Sequence, residues 1–134
     1  KNNQFDIVVP SLKIKNEENQ HIVKIISNNK NKVLYFSRAS VPFNFRQKNK
    51  FLQKHLSIIS FKRKALLKFA KLKISKIEKI EGIELMRALE NNFSIGTFFL
   101  KGDSFSVDQI SDYEKALIAI PNDKFTKRYA KKNY

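Results

Sequence analysis

Cysteine is absent from the 134-residue chain, and only two histidines, three glycines and three prolines occur. The lack of cysteine excludes thiolate zinc sites, disulfide frameworks and cysteine nucleophiles. His21 and His55 lack the paired spacing of a metal site, and three widely separated glycines cannot form a phosphate-binding loop. No nucleophile motif of recognisable spacing is present. The sequence therefore predicts a protein that is not an enzyme, with no catalytic residue, no metal and no cofactor.

Long uncharged apolar runs are also missing. No stretch approaches the roughly 18 residues that a membrane-spanning helix needs, and no short apolar segment follows a basic amino terminus as in a signal peptide. We therefore expect no membrane partner. A folded body is expected nevertheless, because 42% of the residues are hydrophobic and twelve are Phe, unlike the composition of disordered chains.

Acidic residues are scarce: twelve Asp and Glu accompany 27 Lys and Arg, which gives a formal net charge of +15. A field of this size attracts polyanions and opposes self-association. The excess is greatest in residues 46–76, which hold eleven basic residues and no acid. Residues 77–123 carry nine acids against four basic residues, and residues 124–134 carry five basic residues and no acid. The chain is therefore electrically bipolar.

The basic middle segment and the basic tail are predicted to bind nucleic acid. On a helical wheel, Lys64, Lys68 and Lys71 fall within one narrow arc. An ordinary helix face mixes Glu with Lys, so a lysine row without acids favours phosphate contact. For a single lysine a solvated face is the alternative, and for the tail a frayed terminus. The residues predicted to contact nucleic acid are Arg46, Lys48, Lys50, Lys54, Lys62, Arg63, Lys64, Lys68, Lys71, Lys73, Lys124, Lys127, Arg128, Lys131 and Lys132.

The first third of the chain is predicted to form strands. Short β-branched or aromatic runs over residues 5–9, 12–15, 22–26 and 33–37 are separated by polar clusters, which is typical of hairpins or a small meander. Pro10 is expected at a strand end, where its missing N–H does least harm. Pro42 interrupts the next apolar run, so residues 41–45 are predicted to be a loop or an edge.

Helices are predicted for most of the remainder. Residues 48–73 lack Gly and Pro and are rich in Leu, Lys, Ala and Gln, which favours helix, with a break near Ser57 to Ser60 as the alternative. Capping-box patterns at Ser75 with Glu78 and at Ser106 with Gln109 predict helices over residues 76–92 and 106–120. Gly82 is expected to weaken the helix over residues 76–92. Residues 94–101 are predicted to form a strand. The prediction is one α+β domain over residues 1–123, with N-terminal hairpins or a meander packed on two to four helices, and a basic C-terminal tail over residues 124–134.

Charge placement ranks the possible functions. A helix-turn-helix would fall over the acidic residues 83–118, which weakens the alternative of a DNA-binding protein from a phage, plasmid or AT-rich bacterium. The two apolar arcs flanking the lysine row fit a peripheral membrane helix badly. The favoured prediction is a non-catalytic RNA-binding component of a ribonucleoprotein particle, a ribosomal protein of a mitochondrion or an AT-rich bacterium. Its partners would be rRNA and neighbouring proteins, with no small-molecule substrate.

Overall fold

The structure is a computed structural model that describes residues 4–15, 18–102, 104, 106–107, 109–123, 125–126 and 128. The chain divides into two compact units, residues 1–102 and residues 103–134. The predicted domain boundary after residue 123 and the predicted basic tail remain predictions.

The first unit is built on one mixed sheet. Its strands are β1 (Ile7–Lys15), β2 (Lys24–Ser27), β3 (Val33–Ser37), β4 (Phe51–His55), β5 (Ser60–Phe61) and β6 (Ile95–Phe99). The order is β3-β2-β4-β1-β5, and these neighbours pair antiparallel. β6 pairs with β1 in parallel. The predicted N-terminal hairpin is present as β2 and β3, whose turn contains Asn31 at a positive φ of 58°.

The described helices are short. They are α1 (Arg63–Phe69), α2 (Lys76–Glu81) and α3 (Leu85–Glu90) in the first unit, and α4 (Ile110–Ala119) followed by a 3₁₀ turn (Ile120–Asn122) in the second. The predicted α+β class is confirmed. Within the described ranges, no helix has the length and apolar character required to cross a membrane.

Pro10 lies inside β1, where two separate strands were predicted. Residues 11–15 of β1 pair with β4, and Ile7 and Val8 pair with β5. Pro10 therefore falls at the gap between two consecutive partners, where its carbonyl accepts a bond from Leu56 N–H at 3.2 Å. A proline is tolerated there because no partner on that side requires an N–H donor.

The helix predicted over residues 48–73 is wrong in its first half, which contains β4 and β5. In β4, Leu52 and Lys54 are buried and alternate with more exposed residues, the period-two pattern of a strand. Pairing with β1 outweighs the local helix preference of Leu, Gln and Lys, because strand formation depends on cross-strand packing. The helix that follows is only seven residues long.

One of the two predicted capping boxes is confirmed. Ser75 caps α2, with Glu78 N–H donating to its hydroxyl and Glu78 accepting from Ser75 N–H. The helix then ends at Gly82 in the left-handed region, φ 62°, so Gly82 separates α2 from α3. The box at Ser106 is wrong, because Gln109 occupies the N-cap of α4 and its side chain makes no capping bond to that helix.

The core of the first unit forms where the sheet meets α1 and α3. Ile7, Val9 and Ile95 are fully buried on neighbouring β1 and β6. They belong to one apolar cluster with Phe69 of α1 and with Leu85, Met86 and Ala88 of α3. This packing holds β1 as the central strand on which the polar groups described next are arranged.

Candidate functional site

The predicted lysine row is only partly formed. Lys64 and Lys68 lie on α1 and are exposed, but the helix ends at Phe69 and Lys71 lies in the turn after it. Lys62, Lys64 and Lys68 line a cavity of about 360 Å³ that also contains Asp6. Bonds from Ser94 side chain and backbone lower the pKa of Asp6, with a further contribution from the lysine charges.

The other predicted nucleic-acid contacts are scattered. Exposed positions in the first unit are Arg46, Lys48, Lys50, Arg63, Lys71 and Lys73. Lys54 is buried at 8% exposure in β4, which sets it apart from these exposed positions. Arg128 is exposed. Lys124, Lys127, Lys131 and Lys132 lie outside the described residues.

A strip of polar side chains crosses the two central strands. Residues directly opposite in an antiparallel pair place their side chains on the same face. The β1–β4 register pairs Ser11 with His55 and Lys13 with Gln53, so these four side chains share one face. We call Ser11, Lys13, Gln53 and His55 the polar strip.

Gln53 is held at the centre of the polar strip. Its Nε2 donates to Ser11 Oγ at 2.9 Å and to Thr97 Oγ1 at 3.2 Å, while Ser27 Oγ donates to its Oε1 at 3.1 Å. Side chains from three other strands, β1, β2 and β6, therefore fix one amide. Both of its N–H donors are used, so the remaining hydrogen-bonding capacity is at acceptor oxygens.

One end of the polar strip opens into a cleft of about 650 Å³. Lys13, Gln53 and Ser27 supply its polar lining together with Asn49. The apolar lining comes from Ile25, Ile26, Val41, Pro42, Phe51, Leu52 and Phe99. A concave, mostly apolar site with a few convergent polar groups is the usual form of a small-molecule pocket. The cleft offers a Lys13 ammonium for an anionic group and oxygen acceptors for hydroxyl groups.

His55 lies at the buried end of the polar strip. Its ring packs edge-on against Phe36 at 5.5 Å between centroids. Desolvation lowers the pKa of His55 from 6.5 to about 4, so the imidazole is neutral near pH 7. Among the described residues, Nε2 of His55 is the single buried side-chain nitrogen or oxygen without a hydrogen-bond partner. Such an atom is rare in a folded protein and marks a functional candidate.

A second group of charged side chains, which includes the buried Lys24, ties the β2–β3 hairpin to the end of α2. Glu81 accepts from Ser37 Oγ at 3.1 Å and from Arg38 N–H at 3.0 Å, and Arg38 Nε donates to Glu81 carbonyl oxygen at 2.7 Å. Lys24 is fully buried, and its ammonium donates to the carbonyl oxygens of Asn19 and Arg38. Burial and the Glu81 charge raise the pKa of Tyr35, which donates to Glu81. These bonds satisfy the charges internally, which indicates a structural role.

Sequence reasoning missed the polar strip. Its residues are spread over residues 11–55 and meet only through the β1–β4 register, which a helix prediction over residues 48–73 conceals. Alternation of Phe51, Gln53 and His55 with Leu52 and Lys54 was the available signal.

The part of the chain that the structure describes contains no group of three or more His, Cys, Asp or Glu side chains able to hold a metal.

Comparison with known proteins identifies consistent relatives. The family model described as Cytidylyltransferase matches residues 1–96. The 3-deoxy-manno-octulosonate cytidylyltransferase of Rickettsia prowazekii (strain Madrid E) is 39% identical over 119 residues, which are 87% of this chain and 47% of that protein. The enzyme of the same name from Thermodesulfovibrio yellowstonii is 36% identical over 104 residues, 73% of this chain and 41% of that protein.

A solved structure gives the same result. The structure of CMP:2-keto-3-deoxy-manno-octonic acid synthetase complexed with CTP matches with a TM-score of 0.76 and 27% identity, covering 87% of this chain and 50% of that chain. The chain thus spans about half the length of the curated relatives that it matches.

These findings correct the functional predictions. The named relatives are bacterial enzymes that act on nucleotides and a sugar acid, so the predicted non-catalytic, ribosomal, RNA-binding protein without a small-molecule substrate is wrong. The predicted mitochondrial or bacterial ribosome is wrong for the same reason. The lysine excess accounts for attraction to anions in general, but charge composition does not specify a site.

Proposed function

Because the chain belongs to the cytidylyltransferase family, we propose that it forms part of an enzyme that transfers a cytidylyl group from CTP to 3-deoxy-manno-octulosonate. The observation that carries the proposal is the match over residues 1–96 to the family model, together with relatives at 39% identity that share this name. This chain would supply the part of the family fold over which it matches these relatives, about half of their length.

The transfer is a phosphoryl-type displacement. A hydroxyl oxygen of the sugar acid attacks the α-phosphorus of CTP, and the bond from that phosphorus to the bridging oxygen of the β-phosphate breaks. Pyrophosphate leaves, and the attacking hydroxyl loses its proton. Catalysis of such a reaction consists mainly of positioning the two substrates and stabilising charge.

The cleft at the open end of the polar strip is the proposed site for the sugar acid. Lys13 supplies a cation for the substrate carboxylate, since charge-assisted bonds are the strong ones. The acceptor oxygens of Gln53 and Ser27 suit the substrate hydroxyl groups, because both N–H donors of Gln53 are already used. The volume of about 650 Å³ accommodates an eight-carbon sugar acid.

His55 has a positioning role in this proposal. With a pKa of about 4 it is a weak base near neutral pH, far from the pKa that suits a general base. Its proposed role is to hold β1 and β4 in register beside Ser11, its cross-strand neighbour, whose Oγ accepts from the amide of Gln53.

A chimaeric enzyme tests the activity. This chain replaces the matched stretch of the Rickettsia prowazekii relative, and pyrophosphate release is measured with CTP and 3-deoxy-manno-octulosonate together and separately. Release that requires both substrates is expected. A folded chimaera that releases no pyrophosphate with both substrates present, at any concentration of the sugar acid, contradicts the proposed function.

Two matched lysine variants test the site. Lys13→Gln should raise KM for the sugar acid by roughly tenfold with a smaller effect on kcat, because one charge-assisted bond is lost. Lys30→Gln removes the same charge from the exposed hairpin turn and should leave both constants unchanged. Equal behaviour of the two variants would show that the cleft is not the sugar-acid site, while leaving the activity itself untouched.

A further inference from the structure

A small basic cavity lies where β1 and β6 begin. Asp6 immediately precedes β1, Ser94 immediately precedes β6, and the two strands run parallel from there. The cavity has a volume of about 360 Å³, and three lysines against one acid give its lining a formal charge of +2. Its lining residues are Asp6, Lys62, Lys64, Ala65, Lys68, Asn91, Asn92 and Phe93. We call this cavity the basic pocket.

The three lysines of the basic pocket are brought together by the start of α1. Lys62 occupies the N-cap of this helix, and its backbone N–H donates to the Asp6 carbonyl oxygen at 2.9 Å. Lys64 and Lys68 lie four residues apart on α1, so they are neighbours on one face, with Cβ atoms about 5–6 Å apart. Phe69 is buried in the core and fixes the helix against the sheet. The lysines therefore converge on a rigid element.

Asp6 does not neutralise the basic pocket. Its Oδ2 accepts from Ser94 N–H at 2.9 Å and from Ser94 Oγ at 2.7 Å, so this carboxylate ties the start of β1 to the start of β6. The bonds from Ser94 are the main cause of the lowered pKa of Asp6, and the charges of Lys62 and Lys68 contribute less. Within the part of the chain that the structure describes, Lys64 and Lys68 form no ion pair. The positive charge is therefore in excess.

The opposite wall of the basic pocket follows the end of α3. Asn91 Nδ2 donates to the Arg87 carbonyl oxygen at 2.8 Å, which fixes that side chain. Asn92 has a φ of 60°, and this left-handed residue turns the chain from α3 towards β6. The Phe93 ring then packs edge-on against Phe69 at 6.3 Å between centroids. Walls that are already ordered reduce the entropic cost of binding a ligand.

We propose that the basic pocket binds a small multivalent phosphate anion, either inorganic phosphate or pyrophosphate. A lysine ammonium binds phosphate as a point charge, and charge-assisted bonds of this kind are strong. The volume is near the lower end of the range for small-molecule pockets, which suits a compact anion.

The basic pocket is separate from the cleft proposed for the sugar acid. The two cavities have no lining residue in common. Asp6 and Lys13 lie towards opposite ends of β1, and their separation of seven residues corresponds to roughly 23 Å of extended chain. The inference therefore goes beyond the proposed function and does not rest on it.

Titration of this chain tests the proposal. Sodium phosphate and sodium pyrophosphate are added in separate calorimetric titrations at constant ionic strength, with sodium chloride as the control. We expect saturable one-to-one binding of at least one phosphate anion and no saturable heat with chloride, and the tighter of the two anions identifies the ligand. In nitrogen-15 NMR spectra, amide shifts at residues 62–68 and 91–93 should saturate at the same anion concentration.

Matched double variants locate the contact. Lys64→Gln with Lys68→Gln should weaken binding by about tenfold or more, because two charge-assisted contacts are lost. Lys71→Gln with Lys73→Gln removes the same charge from exposed positions outside the basic pocket and should change the affinity less than about twofold. Gln retains a good helix propensity. Circular dichroism checks the folding of both variants, and the NMR measurement on the parent chain is independent of them.

Three results would each overturn the proposal. The first is the absence of saturable binding with both phosphate anions. The second is equal weakening in the two double variants, which would indicate attraction to the overall charge of the chain. The third is a set of amide shifts confined to the cleft around Lys13 and Asn49, which would place the anion there. A failed chimaera would leave these measurements unchanged, because it tests the proposed function alone.

Discussion

Acid should weaken the fold through His55 before it affects the carboxylates of Asp6 and Glu78. Burial lowers the pKa of His55 from 6.5 to about 4, so the unfolded chain binds a proton between these values that the folded chain excludes. A group whose folded pKa is lowered contributes its full stability above the unfolded pKa, and the contribution is lost as the pH falls towards the folded pKa. With these two values, the free energy of unfolding should fall by about 2 kcal/mol between pH 7 and pH 5.

Urea denaturation at pH 7, 6 and 5 measures this loss. His55→Phe keeps a ring against Phe36 and should abolish most of the difference between pH 7 and pH 5, whereas His21→Gln, at an exposed turn, should retain it. The carboxyl groups of Asp6 and Glu78 have pKa values lowered below 3.8 and 4.5, so their contributions are lost at lower pH. An equal loss in the parent and in His55→Phe would refute the reasoning.

Three substitutions test the packing, each by urea denaturation at pH 7. Arg87→Met should lower the free energy of unfolding by about 3–5 kcal/mol, because the buried Glu78 carboxylate would lose its ion pair at 2.8 Å. The double variant with Glu78→Gln should recover part of this loss, and no recovery would exclude a charge effect. Gly96→Ala should cost about 1–3 kcal/mol, since an added Cβ would lie 2.2 Å from the Phe5 ring, and a neutral result would mean that Phe5 moves aside freely. Ser75→Ala should cost about 1 kcal/mol through loss of the α2 cap, with Ser75→Thr as the control that retains most of it.

The fold class followed from local signals. Alternating β-branched runs located β2 and β3, and the pairing of Ser75 with Glu78 located the start of α2, because both signals involve residues close in sequence. β4 was missed because its strand character comes from β1, about forty residues earlier. The preference of Leu, Gln and Lys for helix is worth only a few tenths of a kcal/mol per residue, which cross-strand pairing easily exceeds.

The candidate site could not be predicted for a related reason. Lys13 and Gln53 are forty residues apart and are brought together by register alone. The predicted lysines form one cluster in the sequence but not in the structure. Lys54 is buried, and α1 ends at Phe69, so Lys71 is not on the same helix as Lys64. A charge run reports composition, whereas a site requires convergence of side chains from different strands.

Lys24 offers a chemical reporter of unfolding. Its amine is fully buried and donates to two carbonyl oxygens, whereas an amine-reactive acylating reagent needs a free, deprotonated amine in contact with solvent. Lys30, in the exposed hairpin turn, should be labelled at once under native conditions. Acylation of Lys24 should proceed only as fast as the β2–β3 hairpin opens, so peptide mapping of these two lysines times the opening of one hairpin without any substitution in the chain.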